Sequence, residues 1–434
     1  MKESNYNIYV PVQDKVICFN TLNNIFTIIT EADYRVLRSD ILNLRDNLRK
    51  RLEDNKFIIA DYCDEYEQIE ARYQNKVNSS VYDLTILPTL DCNLRCWYCF
   101  ETHVMGSRLS TVTQDNILKF TQNILNSEEI TALSVTLFGG EPLLYFKEEL
   151  YPLLKRIRDY AITVGKLVNF SFITNGVCID ESFIPMLRDL NAGFQISIDG
   201  YREKHNTVKK GSGVEQSYDI VMKVIHLLHN SYNPYINLRI NYDNQTLLHI
   251  EEVIKDIVDI DRSHIRIHLE RVWQTRGGNH DGELLKKAIT LFLINGFRVS
   301  YLNLNRDGDS CKASEKNQAV ISYNGIVYKC SGRDFTKDLE EGVLSDEGCI
   351  NWNIDKLNKR LSLKTFDNER CIKCKMLPLC WGPCCQKILE GRDSRSACQL
   401  DSMEISLSDY VLFEFNSCII ENNIKQQEMN METV

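Results

Sequence analysis

The chain has 434 residues, 43% hydrophobic and 26% charged, with a formal net charge of −9. That suits a folded chain of two or three domains, and the acidic balance argues against a nucleic-acid binder, which carries a basic excess or stripe. No apolar run reaches the ~20 residues that span a bilayer, and MKESNYNIYV lacks the basic flank and apolar core of a secretory signal, so a cytoplasmic protein with no membrane partner is expected.

Along residues 1–80, Lys15–Asn20 and Ile25–Thr30 read as short strands joined by the Asn23-Asn24 turn. Glu31–Leu37 and Ile41–Asn55 follow as helices, Phe57–Ala60 as a returning strand, and the polar stretch Gln74–Ser80 as a linker. From 81 to 300 apolar strands alternate with helices. The strands are Leu84–Leu87, Leu133–Phe138, Val168–Ile173, Phe194–Ile198, Ile236–Ile240 and Ile265–Leu269, with Gln114–Asn126, Lys147–Val164 and Gln216–Asn230 among the helices. Six βα repeats predict an α/β fold, a parallel sheet curled into a partial (β/α)6 TIM-like barrel, whose site belongs at the carboxyl ends of its strands. Residues 301–420 show weak periodicity and seven spaced cysteines, as in a segment held by metal in place of a large apolar core. The tail 421–434 is polar.

Sixteen cysteines are too many to persist as disulfides in a reducing cytosol. Ten fall into two spaced groups; Cys18, Cys63, Cys178, Cys349, Cys385 and Cys418 stand apart, and most of these read as structural. The first group, Cys92-Asn-Leu-Arg-Cys96-Trp-Tyr-Cys99, directly follows the first barrel strand. Three thiolates on one tight loop can each hold one iron of a cubane, leaving the fourth iron open to a small chelating ligand. A structural zinc site would want a fourth ligand, for which His103 is the nearest candidate. CxxxCxxC in this position resembles the radical S-adenosylmethionine superfamily. The resemblance implies a 4Fe–4S cluster on Cys92, Cys96 and Cys99 that cleaves S-adenosylmethionine to a radical, with Tyr98 near the adenine.

At the end of the second strand stands Leu137-Phe-Gly139-Gly140-Glu141-Pro142. Its glycines would let backbone approach a ligand, and Glu141 could accept from an ammonium group. The segment resembles the family's GGEP motif, which implies contact with the methionyl amino group. Thr174-Asn175-Gly176, Ser197-Ile-Asp199-Gly200 and Arg239-Ile-Asn241 close the next three strands. Their groups suit a ribose diol and a carboxylate, though each could equally be a cap or turn residue.

The second cysteine group comprises Cys311, Cys330, Cys371, Cys374, Cys380, Cys384 and Cys398. CxxC with distal cysteines could be a zinc ribbon, yet seven thiols exceed one zinc site and fall short of two. The pattern resembles the SPASM extension of radical enzymes, which implies two auxiliary 4Fe–4S clusters: one on Cys371, Cys374, Cys380 and Cys398, the other on Cys311, Cys330 and Cys384. Some relatives carry an eighth cysteine just before the first of these, where this chain has residues 301–310 without a thiol. The second cluster would then have an open iron, or borrow Cys349 or Cys385.

This resemblance covers residues 81–400 and implies an enzyme that modifies peptides or proteins. One reading is a maturase that installs an intramolecular crosslink (carbon–carbon, ether or thioether) in a ribosomally made precursor peptide. The order of elements in residues 1–80 is similar to the winged-helix-like domain by which such maturases take a leader peptide as an added strand. An electron donor such as flavodoxin or ferredoxin would be a further partner. An anaerobic sulfatase-maturating enzyme is the alternative, but that family places an aspartate directly after the cysteine matching Cys330, where this chain has Ser331; Asp334 is near but displaced. A non-catalytic electron-transfer protein is the third reading, and it needs no methionine pocket.

Overall fold

The computed structural model describes residues 1–272, 274, 281–301, 304, 311–393 and 397–432. The chain forms two compact units, one of Met1–Asn78, Leu302–Ser314 and Ser362–Ile419, the other of Ser79–Tyr301, Glu315–Leu361 and Ile420–Val434. The expected thiol-free segment before Cys311 lies, but for Tyr301 and Leu304, outside the described residues.

In the first unit β1 (Lys2–Glu3) pairs with β5 (Ile58–Ile59), and β2 (Asn7–Val12), β3 (Lys15–Asn20) and β4 (Ile25–Thr30) form an antiparallel sheet in that order. β3 is its centre: Val16, Ile17, Cys18 and Phe19 are all buried, and Phe19 stacks on Phe26 of β4 with ring centroids 4.2 Å apart. β2 was not expected from the sequence. It carries Pro11, which a ladder tolerates at an edge, and β2 is an edge strand. Helix Glu31–Ser39 begins where Thr30 Oγ1 accepts the Asp33 amide at 3.1 Å, with Glu31 and Asp33 favourably placed in the first turn. The single helix expected over Ile41–Asn55 is broken into a 3-10 turn, Ile41–Asn43, capped by Asp40, and a helix Asp46–Asp54; the break lets Leu44 bury. Helix Glu65–Val77 runs into the stretch expected as linker and buries Ile69 and Tyr73 against Phe366, Leu377 and Trp381.

The second unit is built on one sheet. β6 (Val81–Leu87), β7 (Ala132–Leu137), β8 (Leu167–Thr174), β9 (Gly193–Ile198), β10 (Ile236–Tyr242), β11 (Ile265–Arg271) and β12 (Arg298–Tyr301) lie side by side and parallel. Strict alternation fixes their faces: Leu133, Val135 and Leu137 are buried, while Ser134 and Thr136 are half-buried on the other side. The six expected strands are all present; five are extended by one to three residues, and that expected over Leu133–Phe138 is shifted by one, to Ala132–Leu137. The expected helix Lys147–Val164 starts as one π turn, Phe146–Leu150, and continues as Tyr151–Thr163.

One part of this sheet comes from the cysteine-rich region. β13 (Gln318–Ser322), wholly buried, pairs parallel with β6, and β14 (Ile326–Tyr328), β15 (Gly342–Leu344) and β16 (Ile350–Trp352) continue antiparallel. Eight parallel strands thus place their carboxyl ends on one rim.

Candidate active site

The cysteine loop leaves the carboxyl end of β6 and is held on two sides before any ligand is considered. On the β7 side, Gly140 has φ +49, and a Cβ there would stand 2.1 Å from the Asp91 carbonyl oxygen. Close approach is therefore needed here to the cysteine loop's own backbone. The next amide, Glu141 N–H, donates to that same Asp91 carbonyl at 2.8 Å. On the far side, the Arg95 amide donates to Lys210 O at 2.7 Å, and a Cβ on Gly211 would fall 1.9 Å from Asn93 O. Asp91 ties the loop to itself: its carboxylate accepts from the Cys92 and Gly106 amides, both at 2.8 Å.

Between these clamps sit the three thiols, near enough that each influences another's ionisation. Burial pushes the Cys92 thiol up to about 12, with Glu141 adding to the rise. Burial also pushes Cys96 to about 11 against the pull of Lys209, and raises Cys99. His103 Nε2 lies 3.6 Å from Cys99 Sγ, and burial holds its pKa below the usual histidine value. Among the described residues no three His, Cys, Asp or Glu side chains converge on one metal ion. Three sulfurs spaced on one loop, those of Cys92 and Cys96 half-buried and that of Cys99 exposed, are nonetheless a donor set suited to iron–sulfur ligation.

Glu141 is completely buried. Its carboxylate accepts from Thr174 Oγ1 at 2.7 Å, the Asn175 amide at 2.9 Å and the Leu143 amide at 3.1 Å. Burial raises its pKa against those bonds. It thus staples the ends of β7 and β8 together, so most of its hydrogen-bonding capacity is spent within the protein. Pro142 is buried beside it. Asn175 in turn reaches Asn93 Oδ1 at 2.8 Å and lies 3.8 Å from Cys92 Sγ.

The remaining candidates form one network. The Tyr98 hydroxyl donates to Asp199 Oδ1 at 2.6 Å and accepts from Asn241 Nδ2 at 2.9 Å, while its backbone carbonyl accepts from Gln274 at 2.5 Å. Lys209 Nζ donates to Ser197 Oγ at 2.7 Å and faces Asp199 Oδ2 at 3.8 Å. That oxygen is buried and has no hydrogen-bond partner among the described residues, which leaves an acceptor unused at the rim. Arg239 Nε donates to Asn241 Oδ1 at 3.1 Å and its Nη2 lies 3.9 Å from Glu270.

Sequence reasoning missed Lys209, Glu101 and Asp91. Glu101 accepts the Gly140 amide at 2.7 Å and is pushed to about 7 by burial, with Asp334 adding to the rise. No motif marks any of the three; only their burial does. Asp334 is committed: its oxygens accept from the Thr102 amide at 2.8 Å and the Thr102 hydroxyl at 2.6 Å.

In the first unit, Cys371, Cys374, Cys380 and Cys398 lie close enough for their charges to act on one another, with burial pushing Cys380 to about 12. The turn Lys312–Ser314, after Cys311, packs against helix Cys385–Leu389, after Cys384. Cys330 belongs to the second unit.

Comparison with known proteins agrees with this rim. Residues 86–257 match the model of the radical SAM superfamily. Over 367 residues the chain is 27% identical to a cysteine-type anaerobic sulfatase-maturating enzyme of Clostridium perfringens, covering 77% of this chain and 96% of that protein. It is 23% identical over 358 residues to the radical SAM cyclopropyl synthase TigE of Paramaledivibacter caminithermalis, covering 74% and 71%. Among solved structures, native anSMEcpe with bound AdoMet and the Kp18Cys peptide superposes with a TM-score of 0.56 at 21% identity, over 80% of this chain and 99% of that one. Streptococcus suis SuiB bound to its precursor peptide SuiA superposes at 0.53 and 16% identity, over 92% and 99%. These likenesses show a shared fold. The chain thus carries a radical SAM enzyme domain over residues 86–257.

Proposed function

We propose that this enzyme matures a ribosomally made peptide by installing an intramolecular crosslink. In this reading Cys92, Cys96 and Cys99 hold a 4Fe–4S cluster, and Tyr98, Gly139, Gly140, Glu141, Pro142, Asn175, Ser197, Asp199 and Arg239 frame S-adenosylmethionine beside it. When bound, the cluster supplies the electron that breaks the cofactor's C5′–S bond. The chain's own residues hold the loop, offer the Asp199 acceptor and keep bulk water from the rim.

One observation carries the reading: three thiols on a single loop, two of them half-buried, are clamped by the turn after β7 and by Lys210 and Gly211 after helix Arg202–Val208, beside a buried carboxylate oxygen that has no hydrogen-bond partner among the described residues. An electron carrier needs no such acceptor. Cys371, Cys374, Cys380 and Cys398 would hold one auxiliary cluster, and Cys311, Cys330 and Cys384 another. The edge strand β4 offers a leader peptide a place to add as a further strand. An electron donor such as flavodoxin or ferredoxin belongs to the same reading.

Formylglycine formation on a sulfatase is the second reading, favoured by the near full-length match to the Clostridium perfringens enzyme. Against it, Ser331 stands where that family has its aspartate, and Asp334 is held by Thr102.

Co-expression with short reading frames beside the gene, followed by mass spectrometry, tests the proposal; two hydrogens lost per ring are expected. Conversion of a Kp18Cys-type peptide to the aldehyde, with no ring formed in any neighbouring peptide, would favour the second reading. Cys96→Ala should abolish 5′-deoxyadenosine release, whereas Cys374→Ala should spare it and impair product formation.

A further inference from the structure

We propose that Lys209 is a positioning residue for the cysteine loop, acting through Asp199 on the hydroxyl of Tyr98. Lys209 follows helix Arg202–Val208, and its side chain is 4% exposed against 2% for Asp199. Two charges buried this deeply pay a desolvation penalty of several kcal/mol each, and a buried pair seldom outperforms apolar residues of the same volume. Here the separation is 3.8 Å, outside hydrogen-bond range, so attraction recovers less still. Stability alone does not account for the pair. Its geometry does: Asp199 spends its other oxygen on the Tyr98 hydroxyl at 2.6 Å, and Tyr98 lies between Cys96 and Cys99.

Neighbouring backbone grips the same loop. Lys210 O accepts the Arg95 amide at 2.7 Å, and Gly211 lies so close to Asn93 O that a Cβ would stand 1.9 Å away. The segment 209–211 therefore holds the loop at Asn93, at Arg95 and, through two side chains, at Tyr98. These points bracket Cys96 and run up to Cys99. Without the ammonium, Asp199 is a buried carboxylate with no cation in contact. It takes up a proton or turns away, and the phenol loses its fixed acceptor.

The positional claim is independent of what the thiols bind; its consequence for iron rests on the proposed function above. The test uses the full-length chain as Lys209→Met, Lys209→Arg, Asp199→Asn, Tyr98→Phe and the Lys209→Met/Tyr98→Phe double variant. In metal-free protein, iodoacetamide alkylation of Cys96 and Cys99 is followed by peptide mass spectrometry over a range of pH and compared per thiolate, because Lys209 and Asp199 also act on the Cys96 thiol, with urea denaturation as the folding control. Lys209→Met should speed alkylation of both thiols roughly tenfold, the equivalent of about 1.4 kcal/mol of loosening. Tyr98→Phe should do the same, Asp199→Asn, whose amide oxygen can still accept from the phenol, should speed it less, the double variant should add nothing, and arginine should restore the slow rate. After anaerobic reconstitution with iron and sulfide, iron bound per chain should fall in Lys209→Met and recover in Lys209→Arg. Unchanged alkylation, or effects of Lys209→Met and Tyr98→Phe that multiply, would overturn the proposal. Should Lys209→Met also lower the urea midpoint well below that of Lys209→Arg, Tyr98→Phe, which keeps the ring's shape, decides by the same readout. A wild-type chain that takes up no iron yet shows the expected alkylation pattern would refute the cluster reading and leave the positioning role standing.

Discussion

Gly140→Ala is the sharpest perturbation of the clamp, because two of its costs can be separated. The first is conformational: φ is +49 there, and an L-residue in the left-handed region costs about 1–2 kcal/mol. The second is steric. The new Cβ would stand 2.1 Å from Asp91 O and 2.8 Å from Asp91 C, backbone atoms that no side-chain rotation can move. Relief requires the β7 turn to draw back, which stretches the 2.8 Å bond from the Glu141 amide to Asp91 O and gives up about 1 kcal/mol. Overpacking adds roughly 1–3 kcal/mol. The sum is about 3 kcal/mol or more. Gly165→Ala supplies the control: φ is +69, but nothing lies within 4 Å of the added methyl, so about 1–2 kcal/mol is expected. Urea denaturation of both variants, with 5′-deoxyadenosine release measured alongside, reads the difference. Equal destabilisation by the two alanines, with cofactor cleavage intact in Gly140→Ala, would refute the idea that this turn holds the cysteine loop by close contact.

Three further outcomes are expected. Glu141→Gln should cost about 2 kcal/mol in urea denaturation, because an amide cannot accept all three bonds and its NH2 must face either the Asn175 amide or the Leu143 amide, donor against donor. Glu101 is raised from 4.5 to about 7 by burial, so the fold keeps a proton that the unfolded chain releases. Its contribution to stability is full below pH 4.5 and is lost as pH rises to about 7; metal-free Glu101→Gln should lack this part of the pH dependence, and identical profiles for the two proteins would contradict it. Glu341→Ala withdraws the carboxylate that receives Arg360 Nε at 3.1 Å in a buried ion pair, and should destabilise by roughly 3 kcal/mol by the same denaturation measurement.

Much of the scaffold was legible because its periods are clean. Lys15–Asn20 and Ile25–Thr30 are short β-branched and aromatic runs bounded by turn residues and form strands over those same bounds. The barrel strands alternate apolar and polar residues, as in Val81–Leu87, Ala132–Leu137 and Gly193–Ile198. What escaped was structure supported from elsewhere in the chain. Asn7–Val12 contains a proline and looks like a poor strand until β3 pairs with it. Glu65–Val77 is mostly polar, and its buried anchors, Ile69 and Tyr73, find partners far along the chain, at Tyr6 and Leu22 and at Phe366, Leu377 and Trp381. Gln318–Ser322 is too short to announce that it extends a sheet begun at residue 81. At the rim, the cysteine spacing and the Gly-Gly-Glu-Pro turn were visible as motifs. Glu141's bonds to Thr174 and Asn175 were not, because they join the ends of two strands.

Charge explains why such a loop needs so much framing. Asp91, Glu101, Glu141 and Asp199 all stand near the three thiols, and Lys209 is the buried cation that acts on Cys96 and Cys99. In a poorly hydrated site, anions so gathered would drive the loop outward if the thiols ionised. Burial keeps Cys92 and Cys96 protonated at neutral pH, and hydrogen bonds to backbone amides spread the charge of Asp91 and Glu141. The loop can therefore hold its shape while neutral and give up its protons only to a metal. A fold that depended on the metal for its geometry would not need backbone contacts as close as those of Gly140 and Gly211; their presence indicates a loop shaped by the protein first.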